Sequence, residues 1–326
     1  MPPIRRCIAL ACATLLATAL PASRAAQAAP DAPASVTIAY QPGIGYANLV
    51  VIKEQGTLEK QFPHTTFEWK VLSNGATIRD GMIGNQIQIG AGGTGPFLIG
   101  WDRGVNWRLI ATLNEMDLWL TTMDKGVKTL KDVTPAMKIG MPGPDSIQAL
   151  VLRKAALDQL GNAQALDANV VAISHPDGLQ ALEHGQLALH LSAPPFEFEE
   201  VQAGAHIVLR SYDVFGRSTF NSTFATEAFA KQYPDFINAF YKDVAAATDF
   251  LNKNPQGAAE LLSQDSGGKE TAAQFEGWLK HEGVTYTVTP HGFLAYAKFM
   301  QKIGMLSKSP ASISDIEFPT ISGKGN

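Results

Sequence analysis

The chain reads as an α/β protein built in two lobes, each a mostly parallel sheet flanked by helices. Three observations predict this. Strand-like and helix-like segments alternate from residue 36 to 195, the alternation restarts midway, and Gly- and Pro-rich turns follow the strands at matching places in both runs. The alternation favours parallel strands, because a helical crossover returns the chain to the same end of the sheet.

In order, VTIAY (36–40) reads as a buried strand, QPGIGYAN (41–48) as a turn and 49–60 as a helix stopping near Gly56. TTFEWKVL (65–72) alternates like a strand, and 74–86 has helical spacing. IQIGAG (87–92) is a short strand running into a turn and helix start over 93–104. The pattern then restarts. Residues 107–114 and 117–123 look like strands. KIGMP (138–142) is a strand, and SIQALVLRKAALDQLG (146–161) is a helix with Gly161 as its stop. NVVAIS (169–174) is a strand, 176–185 a helix, and QLALHLSAPP (186–195) again runs a strand into a turn. From Asn221 onward the chain reads as mainly helical, with apolar residues three and four apart over 227–254 and 290–306. The halves echo each other: IAYQPGIGY (38–46) parallels IGMPGPDSI (139–147), and NQIQIGAGGTGP (85–96) parallels GQLALHLSAPP (185–195).

The N-terminus has a different character. Arg5 and Arg6 precede an apolar run from Cys7 to Leu20, and Ala26-Gln27-Ala28 follows. That is the order of a secretory signal peptide, and the run falls short of the ~20 residues a membrane span needs. Export with removal of residues 1–28 is the expectation. Both cysteines, Cys7 and Cys12, lie in this leader. Ala9-Leu10-Ala11-Cys12 lacks the Leu three residues before Cys that a lipidation site uses. The chain from Ala29 on therefore has no disulfide, thiolate or Cys-bound metal chemistry. Losing three arginines and no acid takes the net charge from −4 to −7. An acidic exported protein is a poor partner for nucleic acid or anionic lipid.

Enzymatic motifs are missing. There is no G-x-S-x-G and no H-E-x-x-H. GAGGTG (90–95) has neither the dinucleotide-loop spacing nor the lysine of a phosphate loop. The seven histidines never fall three or four apart, so no metal site is expected. His175 and His190 read as surface or core-edge residues, and Glu197, Glu199 and Glu200 as a solvated helix face. No cofactor is implied.

Binding fits the residues better. In open α/β sheets, ligands sit beyond the carboxyl ends of the strands. Four strand-end turns have suitable composition: Gln41 to Tyr46, Gly92 to Pro96, Pro142-Gly143-Pro144-Asp145-Ser146, and Ser192 to Phe196. Glycine permits close backbone approach, and the free N–H groups of a helix start favour an anion. Tyr46, Phe97 and Phe196 are candidates for an apolar wall. Arg79, Arg103, Arg153, Arg210 and Arg217 are candidate anion partners, each with a surface role as its default.

With these segments in place, the chain resembles the periplasmic solute-binding proteins of ABC importers of the nitrate/sulfonate/taurine type, which share their fold with the thiamine-pyrimidine synthesis family. The resemblance covers about Val36 to Phe318. It rests on the order and spacing of VTIAYQPGIGYANLVVIKEQGTLEK, GNQIQIGAGGTGPFLIG, KTLKDVTPAMKIGMPGPDSIQALVLRKAALDQLG and YPDFINAFYKDVAAATDFLNKNPQGAAELL. It implies a type II periplasmic binding fold with the ligand cleft between two lobes, one over 36–120 plus 222–326 and the other over 121–221. It further implies ligand-binding positions at Gln41, Gly43, Tyr46, Ala47, Gly93 and Thr94 in the first lobe. In the second they are Pro142, Gly143, Asp145, Ser146, Ser192, Pro194 and Phe196. The implied role is non-enzymatic capture, by a monomer, of a small organic anion (a sulfonate or an aromatic carboxylate) for an ABC permease in the inner membrane. A sensor domain for a membrane receptor and an exported enzyme on the same fold are the alternatives. Gln88 and Ala188 stand where many relatives carry Asp, and the mature chain lacks the Cys-rich motif of the thiamine-pyrimidine synthases.

Overall fold

A computed structural model describes residues 32–319 and Gly325. The leader expected over 1–28 lies outside the described residues. Among the described residues, eleven strands form two sheets. Strands β1 (Ser35–Tyr40), β2 (Thr66–Val71), β3 (Ile89–Gly93) and β4 (Trp107–Met116) enter the first. Then β5 (Trp119–Thr122), β6 (Ile139–Met141), β7 (Val170–Ala172), β8 (Leu189–Leu191) and β9 (His206–Arg210) make the second. Finally β10 (Thr219–Thr226) and β11 (Val284–Tyr286) return to the first. The orders are β11-β4-β10-β3-β1-β2 and β7-β6-β8-β5-β9. The chain thus passes from the first sheet to the second between β4 and β5, and back between β9 and β10.

Both sheets are mixed, with the parallel strands grouped at one end of each. β1 pairs in parallel with β2 and β3, and β6 with β7 and β8. Each parallel set is joined by an antiparallel strand: β10 beside β3, and β5 beside β8. The expectation of a mainly helical region from Asn221 is therefore corrected at its start. TFNSTFAT forms a central strand between β3 and β4. Its Thr and Ser residues are buried on both faces, so no apolar alternation marks it in the sequence. The helices beyond hold: Pro234–Lys253 and Phe293–Lys302 bury one apolar stripe each. The short strands β9 and β11 are likewise unmarked in the sequence.

The local stop and start signals act as chemistry dictates. Gly56 and Gly161 end their helices in the left-handed conformation that glycine adopts without Cβ strain. Ser146, Asn74 and Ser174 each cap a helix with a side-chain oxygen. Two apolar cores follow the two sheets, and Ile147, Leu150 and Ala193 from the second half pack into the core of the first. Gly95 makes this contact possible, since a Cβ there would lie 2.4 Å from the Asp145 carbonyl oxygen. Among the described residues, no helix is long and apolar enough to cross a membrane.

Candidate functional site

The carboxyl ends of the parallel strands meet at one cavity. Gln41 and Pro42 follow β1, Asn74 follows β2, and Gly93 ends β3. Facing them, Pro142 follows β6, His175 follows β7, and Ala193 follows β8. Phe220 and Asn221 of β10 complete the wall. The cavity is tight and partly open to solvent: a water-sized sphere can be centred in only about 20 Å3 of it. A bulky ligand requires the two halves to part or the walls to shift.

The wall on the first sheet is a fixed chain of neutral polar groups. Gln41 Nε2 donates to the Tyr46 hydroxyl at 2.7 Å, and that hydroxyl donates to Asn221 Oδ1 at 3.1 Å. Asn221 Nδ2 and Asn114 Nδ2 both donate to the Gly45 carbonyl, at 3.3 and 2.6 Å. Burial pushes the Tyr46 phenol far up, so it keeps its proton and its donor role.

On the second sheet's side, the helix Ile147–Leu160 starts at the cavity. The Ser146 hydroxyl accepts from Ala149 N–H at 3.2 Å and donates to the Gly143 carbonyl at 2.6 Å. Ser146 therefore serves as a cap, while the N–H groups of Ile147 and Gln148 have no intrahelical acceptor. Gln148 Nε2 lies 3.1 Å from His175 Nε2. Among the described residues, the buried His175 Nδ1 has no hydrogen-bond partner. Burial, and then His190 beside it, hold the His175 imidazole well below its ordinary pKa, so it is neutral.

Behind His175 lies a buried network. Glu200 receives His190 Nδ1 and Thr121 Oγ1, each at 2.5 Å, and Ser192 Oγ at 3.4 Å. Glu197 accepts the Trp119 N–H at 2.9 Å, and burial raises its pKa well above the usual carboxylate range. The expectation of a solvated acidic face is overturned here: Glu197 and Glu200 are fully buried and Glu199 is half-buried. Helical spacing puts Glu197 and Glu200 on one face, and that face covers β5 and β8 rather than solvent. His175 and His190 are likewise buried, His175 at the cavity wall.

Of the thirteen positions expected from the sequence, the cavity brings together Gln41, Tyr46, Gly93, Pro142, Asp145, Ser146 and Pro194. The other six lie off it. Gly43 and Phe196 line a neighbouring crevice, where a Cβ on Gly43 would meet the Pro194 carbonyl at 3.0 Å and Phe196 at 3.3 Å. Ala47 is buried at a helix start, and the Thr94 hydroxyl is spent on the Thr219 carbonyl at 3.4 Å. Gly143 holds the Ser146 cap, and Ser192 faces Glu200. Phe97 is no wall: it stacks on Trp107 in the core, centroids 5.5 Å apart. Asn74, Gln148, His175 and Asn221 line the cavity and were missed. Gln148 had a signal, one position inside a helix already aimed at the cleft. Asn221 comes from a strand 175 residues from Tyr46 in sequence and had none.

None of the five arginines lines the cavity. Arg79 reaches its rim, pairing with Asp145 at 2.8 Å across the two halves. Arg153, Arg210 and Arg217 pair with Asp167, Asp117 and Glu115. Arg103 lines a separate surface depression. Among the described residues, no group of three His, Cys, Asp or Glu is placed to hold a metal ion.

Comparison with known proteins gives this geometry a setting. A model of the NMT1-like family matches residues 29–264. A comparison with curated proteins finds no match. Among solved structures, the chain is similar to the alkanesulfonate-binding protein SsuA from Xanthomonas axonopodis pv. citri bound to MOPS. The identity is 18% over 88% of this chain and 98% of that one, with a TM-score of 0.71. It is similar to the periplasmic nitrate-binding protein NrtA from Synechocystis PCC 6803, at 14% identity over 87% and 86% of the two chains, TM-score 0.70. It is also similar to the Candida albicans CA3427 gene product, described as having the generic periplasmic binding protein structural fold. There the identity is 15% over 90% and 96%, with a TM-score of 0.63. At such identities the likeness is one of fold, and the fold is that of the periplasmic binding proteins.

Proposed function

The chain belongs to the NMT1-like family, and from that premise we propose that it is the substrate-binding component of an ABC import system. In this reading it captures a small polar molecule in the cavity and delivers it to an inner-membrane permease. One observation carries the proposal: the carboxyl ends of six strands, three from each parallel set, converge on one cavity. The two sheets are the cores of two lobes, joined near 117–118 and 211–218. Ligand stabilises the closed arrangement because only there do both walls touch it at once. The start of helix Ile147–Leu160 offers N–H groups to an acceptor-bearing ligand, the electrostatic basis for an anionic group such as a sulfonate or carboxylate. Export through a cleaved leader places the protein in the periplasm, where capture precedes transport.

The test is thermal unfolding of the chain after it has been unfolded and refolded to strip carried ligand. The panel holds sulfonates, aromatic carboxylates, nitrate, amino acids and pyrimidines. Ligand at about a hundred times its Kd adds roughly 2.7 kcal/mol. A shift with one chemical class, together with compaction in solution scattering and unaltered ligand on recovery, is the expected result. Chemical conversion of the bound ligand would replace capture with catalysis.

A further inference from the structure

The polarity of the Gln41–Tyr46–Asn221 chain is set by its far end, and this has consequences for the ligand. A backbone carbonyl can only accept. The Asn221 group 3.3 Å from the Gly45 carbonyl is therefore the amide NH2. Asn221 Oδ1 is then the acceptor facing Tyr46, and the Tyr46 hydroxyl must spend its one proton on it. The Tyr46 oxygen is left as an acceptor, so Gln41 turns its NH2 toward Tyr46 at 2.7 Å. Carboxamide orientation is ordinarily ambiguous; here each step follows from the one before. Gln41 Oε1 is consequently left as an acceptor with no hydrogen-bond partner among the described residues, on a residue 8% exposed at the cavity wall. Asp145 adds a second acceptor to the same cavity: Oδ2 is held by Arg79, and Oδ1 makes no hydrogen bond among the described residues.

We propose that the ligand carries an N–H or O–H donor directed at Gln41 Oε1, and that Gln41 selects amine-, amide- or hydroxyl-bearing molecules against bare oxyanions. This deepens the capture reading and rests on it. An oxyanion without a donor satisfies the helix-start N–H groups but leaves Gln41 Oε1 stranded once water is displaced. A molecule with a donor at one end and an acceptor at the other satisfies both walls. Sites built around a hydrogen-bonded group reject analogues lacking it far more strongly than sites that measure bulk alone.

The experiment uses matched pairs that differ in the donor: taurine against ethanesulfonate, β-alanine against propionate, and a hydroxyalkyl sulfonate against its alkyl parent. Binding to the stripped full chain is measured by calorimetry for the wild type and Gln41→Met. The expected result is at least ten-fold tighter binding of the donor-bearing member by the wild type, and loss of that preference in Gln41→Met. Equal binding of both members, or a preference surviving in Gln41→Met, overturns the inference while leaving capture intact. Binding of no member overturns the capture reading for these ligand classes. The polarity is then judged without ligand, by NMR contacts of the Gln41 side-chain NH2. Close contacts to the Tyr46 ring that vanish in Tyr46→Ala support it, and their absence in the wild type overturns it.

Discussion

The two walls of the cavity bury their polar groups in opposite ways. The first sheet's wall uses carboxamides and a phenol held protonated by burial, a set whose charge does not change in the physiological range. The second sheet's side buries titratable groups: His175 at the wall, with His190, Glu200 and Glu197 behind it. The first wall is fixed by the polarity of its hydrogen bonds, the second by which of its groups carry protons. Fixed hydrogen-bond polarity and buried titratable groups are therefore seated in different halves of the molecule.

The largest break in this contrast comes from Glu200. Its carboxyl is the partner of His190, Thr121 and Ser192, and the glutamate is fully buried. Glu200→Leu keeps bulk but strands the His190 Nδ1 and Ser192 hydroxyl, while Thr121 retains the His190 carbonyl at 3.3 Å. Unpaired buried groups cost ~1–3 kcal/mol each. Urea unfolding should show a loss of about 3 kcal/mol for this variant. A loss no larger than that of a surface substitution would mean that the network is solvated.

Much of this site was legible in the sequence, and the reason is local. The Gly/Pro turns after four strands declare themselves within a few residues, and each supplies a residue to the cavity: Gln41, Gly93, Pro142 and Pro194. The Ser146 cap and the Gly161 stop are likewise written in adjacent residues. Long-range partners were not legible. Asn221 reaches Tyr46 only through a central antiparallel strand made of small polar residues. Glu197 and Glu200 read as solvated because carboxylates usually are. What buries them, the Trp119 N–H and His190, belongs to other strands.

The second way to sharpen the comparison is pH. Glu197 is raised by burial, so the folded chain keeps a proton that the unfolded chain releases above about 4.5. Its contribution is present at low pH and lost as pH rises through the folded value. Glu199, pushed up to about 7 by burial, acts in the same sense between about 4.5 and 7. His175 is lowered, so the unfolded chain takes up a proton below about 6.5 that the folded chain refuses. Its contribution is present above that pH and lost on acidification. One proton is worth at most ~1.4 kcal/mol per pH unit. Relative to wild type, Glu197→Gln should gain stability as pH rises from 4.5, and His175→Asn should gain as pH falls from 6.5. Tyr46→Phe, on the other wall, should run parallel to wild type throughout. Parallel curves for all three would remove the contrast.

The smallest expected effect lies where the two walls touch. Arg79 and Asp145 pair at 2.8 Å with side chains 13% and 22% exposed, and they join a helix of the first half to the turn after β6. Exposed pairs are worth ~0–1 kcal/mol, while breaking a fully buried one costs ~3–5 kcal/mol. This pair lies nearer the exposed case, because water reaches both side chains. A double-mutant cycle of Arg79→Gln and Asp145→Asn should give a coupling of about 1 kcal/mol in thermal unfolding, falling as salt is raised. If parting of the halves breaks the pair, the same cycle read in ligand affinity should show a coupling of similar sign. A coupling in stability with none in affinity would mean that the pair stays formed when the cavity opens, and that the turn bearing Asp145 moves with the first half.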